Sequence, residues 1–306
     1  MNISTEFGYC PDQHDWIVGD IHVSTLPGLP ETADAVSKNE GVEGAWIYAP
    51  RQRTQDFMSG AVTEQPYSAR VFGLPMTHLL EHQSADSDEH VHFLVWCLGF
   101  LLGLRLTHTE AGFLDATPIK PGTLHDIVWC GKDSIPKALG CADQFWGAQS
   151  SNARVPKAIT GIIHSLFLAQ NPTALMFEKF TYLYIALDGC HFVSRSMFGQ
   201  KPKYVRHKER IDQLCNAFGM AVPKWANPAT TSIADYRGET LHEGLFFDEP
   251  LGFASYGGAS QVARSENVVL QMQALVCRFL FALLGIPAVD YIRSPVNMRS
   301  QHGVTI

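Results

Sequence analysis

The sequence predicts an α+β protein, with a mixed, mostly β N-terminal domain over residues 1–150 and an all-α helical bundle over residues 151–306. Three observations carry that expectation. Up to about residue 85, short β-like runs alternate with turn-rich segments such as LPGLPET and SKNEGVEG. Beyond residue 154 the apolar residues recur with the period of a helix. Between these regimes lies GAQSSNAR, residues 147–154, a small and polar segment of the kind that separates domains. A chain of 306 residues is long enough to bury two cores.

In chain order, strands are expected at Asp15–Val23, Gly44–Tyr48 and Tyr67–Phe72, and a strongly apolar helix near Glu89 to Leu104. A further strand is expected at Leu124–Cys130. In the second half, Val155-Pro156 opens a helix, with Pro in the first turn where its missing N–H costs nothing. Ile159, Ile162, Ile163, Leu166 and Phe167 form its apolar face. Asn171-Pro172 reads as an N-cap and first position of a long helix running to about Met197. Its stripe includes Phe177, Phe180, Tyr184 and Leu187. Lys208–Phe218 is a third helix stopped by Gly219, and a short one surrounds Ile233–Leu241. The last, about Val262 to Leu284, is apolar nearly all round and so belongs at the centre of a bundle.

Composition narrows the function classes. The apolar run Phe93–Leu104 is shorter than the ~20 residues a membrane span needs. The longer run Val268–Ile286 carries Gln271, Gln273 and Arg278, so no membrane association is expected. The N-terminus has no basic patch leading into an apolar run, as a signal peptide would. Seven scattered cysteines without a CxxC point to reduced thiols and a cytoplasmic protein. No metal or other cofactor is expected. Cys10/His14 and Glu89-His90-Val91-His92 lack a second ligand pair, and neither matches HExxH.

The net charge of −7 hides an asymmetry, with −11 over residues 1–150 and +4 over 151–306. Arg195, Lys201, Lys203, Arg206, Lys208 and Arg210 face a single acid, Glu209, across residues 195–210. Such a basic stripe is what contact with nucleic-acid phosphates requires, and these six are the candidate RNA-binding residues.

The chemistry-bearing segment follows the third helix: Ala234-Asp235-Tyr236-Arg237-Gly238-Glu239-Thr240-Leu241-His242-Glu243-Gly244. RNA carries its own nucleophile, the 2′-hydroxyl. Cleavage without a metal needs a group of near-neutral pKa to take that proton, and histidine is suited to it. It also needs a fixed positive charge on the phosphate, which arginine supplies through a fork of donors. Arg237 and His242 are the candidate pair. On one straight helix their side chains stand about 140° apart, so a single undistorted helix cannot aim both at one phosphate.

An arginine followed after four residues by a histidine, late in a helical bundle, resembles the R-x(4–6)-H signature of HEPN domains. The likeness covers roughly residues 155–290 and is strongest to HEPN domains carried behind a β-rich domain, the ApeA-like group. It implies a HEPN-like bundle and a metal-independent endoribonuclease of toxin or phage-defence type. Histidine acts as the general base, arginine holds the scissile phosphate, and 2′,3′-cyclic phosphate ends result. It also implies a homodimer through the helical domain, with paired motifs sharing one cleft, and an antitoxin or regulator as a further partner besides RNA. Asp188 falls where the family often holds an acidic or polar residue near the cleft, and joins Arg237 and His242 as a catalytic candidate. Tyr236 and Glu239 flank the arginine as supporting residues. Gly238 departs from the Asn, His or Asp often found after that arginine. The departure keeps open an alternative: a non-catalytic HEPN-fold module that binds RNA, nucleotide or a partner protein.

Overall fold

The structure, a computed structural model, describes residues 1–68, 71–109, 112–124, 126, 128–131, 133–149, 151–199, 205–229, 233–238, 247–248, 252–253, 268–297, 302–304 and 306. It is an α+β protein in which a strand-rich N-terminal region is followed by a helical one. Its contacts form two compact units, Met1–Leu124 and His125–Ile306. The boundary read after residue 150 therefore lies inside the second unit. GAQSSNAR spans the end of one helix, Ser134–Ala148, and the start of the next, Arg154–Ala169, and small polar residues suit a helix–helix connection as well as a domain linker.

The first unit contains β1 (Ile3–Gly8), β2 (Trp16–Val18), β3 (Ile21–Thr25), α1 (Leu29–Ser37), β4 (Val42–Glu43), β5 (Trp46–Tyr48), β6 (Arg51–Gln55) and β7 (Val62–Ser68). It continues through β8 (Val71–Phe72), β9 (Met76–His82), α2 (Asp88–Leu102), β10 (Phe113–Leu114) and β11 (Ala116–Pro118). The main sheet runs β1-β9-β3-β2, antiparallel throughout. The single strand expected at Asp15–Val23 is a hairpin instead, because Gly19 adopts φ 55° and turns the chain between β2 and β3.

Helix α2 packs on β1 and β9 and buries Val91, Leu94, Val95, Leu98 and Leu101. It starts where the Ser87 hydroxyl accepts from the His90 N–H at 3.3 Å. It stops where Gly103, at φ 63°, lets the Leu104 N–H return to the Gly99 carbonyl.

The second unit contains β12 (Val128–Cys130), α3 (Ser134–Ala148), α4 (Arg154–Ala169), α5 (Met176–Met197), α6 (His207–Ala217), a 3₁₀ turn (Lys224–Ala226), and α7 (Ile233–Gly238). It ends with β13 (Phe247–Asp248), β14 (Gly252–Phe253), α8 (Val268–Leu283), α9 (Val289–Arg293) and β15 (His302–Val304). Helix α5 begins at Met176 rather than beside Pro172. The Asn171 side chain accepts from the Thr173 N–H at 3.0 Å and closes a turn instead of capping the helix. The Glu178 carboxylate, accepting from the Leu175 N–H at 2.7 Å, starts it. Helix α6 ends as read, with Gly219 at φ 65°. Residues 262–267 and 239–241, expected to extend α8 and α7, lie outside the described residues. No described helix is long and apolar enough to cross a membrane.

Helices α4, α5 and α8 form the packed centre. Ile159, Ile163, Leu166, Leu187, Cys190, Leu275 and Phe279 are fully buried there. A Cβ on Gly189 would stand 2.7 Å from Ile162 Cγ1, so only glycine allows α4 and α5 this approach.

The one charged side chain that α8 buries completely is Arg278, and every nitrogen of its guanidinium is engaged. Nη1 donates to Asp126 Oδ2 at 2.8 Å and to the Ala274 carbonyl at 2.9 Å. Nε donates to the Ser294 carbonyl at 3.1 Å, and Nη2 to Ser294 Oγ at 3.0 Å. The cation also lies 4.7 Å from the ring centre of Tyr291. A buried pair adds little over an apolar substitute, but removing one partner strands the other. Arg278→Met is therefore expected to lower unfolding stability by about 3–5 kcal/mol in urea titrations. Adding Asp126→Asn should restore part of that loss. A single variant within about 1 kcal/mol of wild type contradicts this account.

Candidate functional site

Helix α5 has two sides committed to α4 and α8, and its remaining face is unlike them. Tyr184, Asp188, His191 and Arg195 fall at i, i+4, i+7 and i+11, which aligns them in one row. Helix α6 packs along α5 and brings His207 and Arg210, three residues apart, towards that row. Helix α7 packs on α6 and brings Arg237.

Asp188 is the hub. Its Oδ1 accepts from Arg210 Nη1 at 2.9 Å, and its Oδ2 lies 3.5 Å from His207 Nδ1. Arg210 is steadied further by donating Nε to the Val205 carbonyl at 3.4 Å. The Tyr184 ring forms a wall, 6.2 Å from the His207 ring and 6.0 Å from the Arg237 guanidinium carbon. Asp188, His207 and Arg210 are each between a fifth and a third exposed, so solutes reach them. His191 is buried.

The local field is positive. Among the described residues, one carboxylate stands among Arg210, Arg237 and, farther along α5, Arg195. Burial depresses the His207 pKa below the ordinary histidine value. Asp188 opposes that shift, while Arg210 and Arg237 add to it. His191 is depressed as well, first by burial and then by Arg210 and Arg195, with hydrogen bonding to Gln213 and the charge of Asp188 opposing. The Tyr184 hydroxyl is held protonated, with burial as the main cause and Asp188 the second. The cluster therefore offers neutral imidazole and fixed guanidinium near neutral pH, the two properties that proton abstraction beside a phosphate needs.

Of the residues read from sequence, Arg237, Asp188 and Arg210 come together here, and Arg195 lies along the same α5 face. Arg206 is exposed and pairs with Glu209, and Lys208 is half-buried in the first turn of α6. Lys201, Lys203, Glu239 and His242 lie outside the described residues, as does the Tyr236 side chain. His207 and His191 were missed as site residues, whereas Tyr184, read as core, is buried as expected and also walls the cluster. The usable signal was the row Asp188, His191, Arg195, which places an acid, an imidazole and a guanidinium at i, i+3 and i+7 on one face of α5.

Comparison with protein-family models, with curated proteins and with solved structures found no match.

Gly238 is the last described residue of α7, and a Cβ built there meets no atom of the described residues within 4 Å. Space does not require glycine at this position. Gly238→Asn is expected to leave unfolding stability within about 0.5 kcal/mol, since asparagine is slightly the better helix former. A loss above about 2 kcal/mol in thermal denaturation contradicts that.

Proposed function

We propose that the α5–α6–α7 cluster binds the ribose-phosphate backbone of RNA and cleaves it without a metal. The observation that carries this reading is the meeting of Arg237 and Arg210 with a carboxylate-linked imidazole, from three different helices. The guanidiniums hold the phosphate and stabilise the charge that builds on its oxygens. A histidine takes the 2′-hydroxyl proton, O2′ bonds to phosphorus, and the bond to O5′ breaks. The products are a 2′,3′-cyclic phosphate and a 5′-hydroxyl, and DNA, lacking the nucleophile, is spared.

On this reading the chain is a cytoplasmic endoribonuclease of toxin or phage-defence type, built on a HEPN-like bundle, with the N-terminal unit available to an antitoxin or regulator. The exposed Ile185 and Phe192, seven apart on α5, offer an apolar face for the homodimer expected of such bundles. The alternative is a non-catalytic RNA- or nucleotide-binding module, favoured by Gly238.

Incubated with single-stranded RNA in EDTA, the protein is expected to generate fragments with cyclic phosphate ends, and Arg237→Ala to slow the cleavage about 100-fold or more. RNA binding without cleavage selects the non-catalytic module. Cleavage abolished by EDTA contradicts the metal-free step.

A further inference from the structure

We infer that His207 is the general base of this site, oriented by Asp188 as a positioning residue. The inference rests on the ribonuclease reading and reassigns the proton-accepting role that the sequence motif gives to His242. It comes from the arrangement of α5 and α6, independently of the spacing around Arg237.

The Asp188 carboxylate has its two oxygens divided between two tasks. One is tied to Arg210, which fixes the carboxylate in place. The other faces His207 Nδ1, which favours the tautomer carrying its proton on that nitrogen. Nε2 is then the lone-pair nitrogen. The contact is 3.5 Å, long for a hydrogen bond, as such contacts often are before substrate closes the site. The imidazolium formed on proton transfer gains Asp188 as its negative partner. His191, the other described histidine of the cluster, is buried within the row and linked to Gln213, so it does not reach a bound ribose.

The charged and titratable groups facing His207 come from three helices: Asp188 and, across the ring, the neutral Tyr184 on α5; Arg210 on its own helix; and Arg237 on α7. His207 also opens α6, an eleven-residue helix whose N-terminal end adds partial positive charge. Burial and these cations keep the ring neutral near pH 7, as a base must be, while drawing in the phosphate next to the ribose whose 2′-hydroxyl proton is to be removed. In the step, Nε2 takes the 2′-hydroxyl proton as the O2′–P bond forms. The electron pair of the breaking P–O5′ bond stays on O5′, which takes a proton from solvent. The imidazolium then releases its proton to solvent, so no other reactant is consumed.

The test uses the full-length protein and a fluorescent single-stranded RNA in EDTA, with the all-2′-deoxy oligonucleotide as the uncleavable probe of binding. His207→Gln is expected to slow cleavage at least about 100-fold while changing affinity for the deoxy probe less than about 3-fold. Added imidazole should restore part of the activity of His207→Ala. Asp188→Asn should move the acid limb of the pH–rate profile to lower pH, because the carboxylate that favours the imidazolium is gone.

Wild-type cleavage by His207→Gln, with His242→Gln inactive, overturns the inference and leaves the ribonuclease reading standing. Loss of deoxy-probe binding along with cleavage in His207→Gln, or failure of imidazole to rescue His207→Ala, also overturns it. A wild type that binds RNA and never cuts it overturns both.

Discussion

The contact of Gly189 with Ile162 sets the rotation of the helix on which the site depends. Because α4 and α5 approach closely there, α5 has little freedom to turn about its axis. Its other committed side meets α8, whose own position is held by the buried Arg278 network. Asp188 immediately precedes Gly189, so the same constraint that packs the bundle aims the carboxylate at α6. The geometry of the proposed site is a by-product of core packing, with the site row occupying the face that the core leaves over.

That arrangement explains how a chain of net charge −7 can present a cationic site. Charge acts over about a Debye length, so what matters is the handful of groups around Asp188 rather than the whole-chain total. Among the described residues, the one carboxylate that stands among the site's guanidiniums has two effects. It holds Arg210 and His207 in register, and it leaves an excess of positive charge for a phosphate. A second carboxylate in the row would neutralise the site, and loss of Asp188 would leave cations repelling one another.

Much of the bundle was legible in the sequence because its signals are local. Val155-Pro156 and the 3.6-residue spacing of Ile159 to Phe167 mark α4, and Gly219 marks the end of α6. The start of α5 was misplaced because Asn171 hydrogen-bonds within a turn, and a cap and a turn use the same residue type. The β6–β7 hairpin went unread because every residue of β6 is exposed, so no apolar alternation exists. Pairing of β12 with β15 joins positions at opposite ends of the second unit, which no local pattern encodes.

The site divides in the same way. Arg237 came from a motif, Asp188 from a resemblance, and Arg210 from a run of basic residues, whereas His207 is defined by a carboxylate on another helix. The most direct measurement is an NMR titration of the His207 ring, without and with a short all-2′-deoxy oligonucleotide. Its midpoint is predicted below the usual ~6.5 in the free protein and raised when a phosphate lies beside it. A midpoint at the ordinary value that the oligonucleotide does not move would contradict the account.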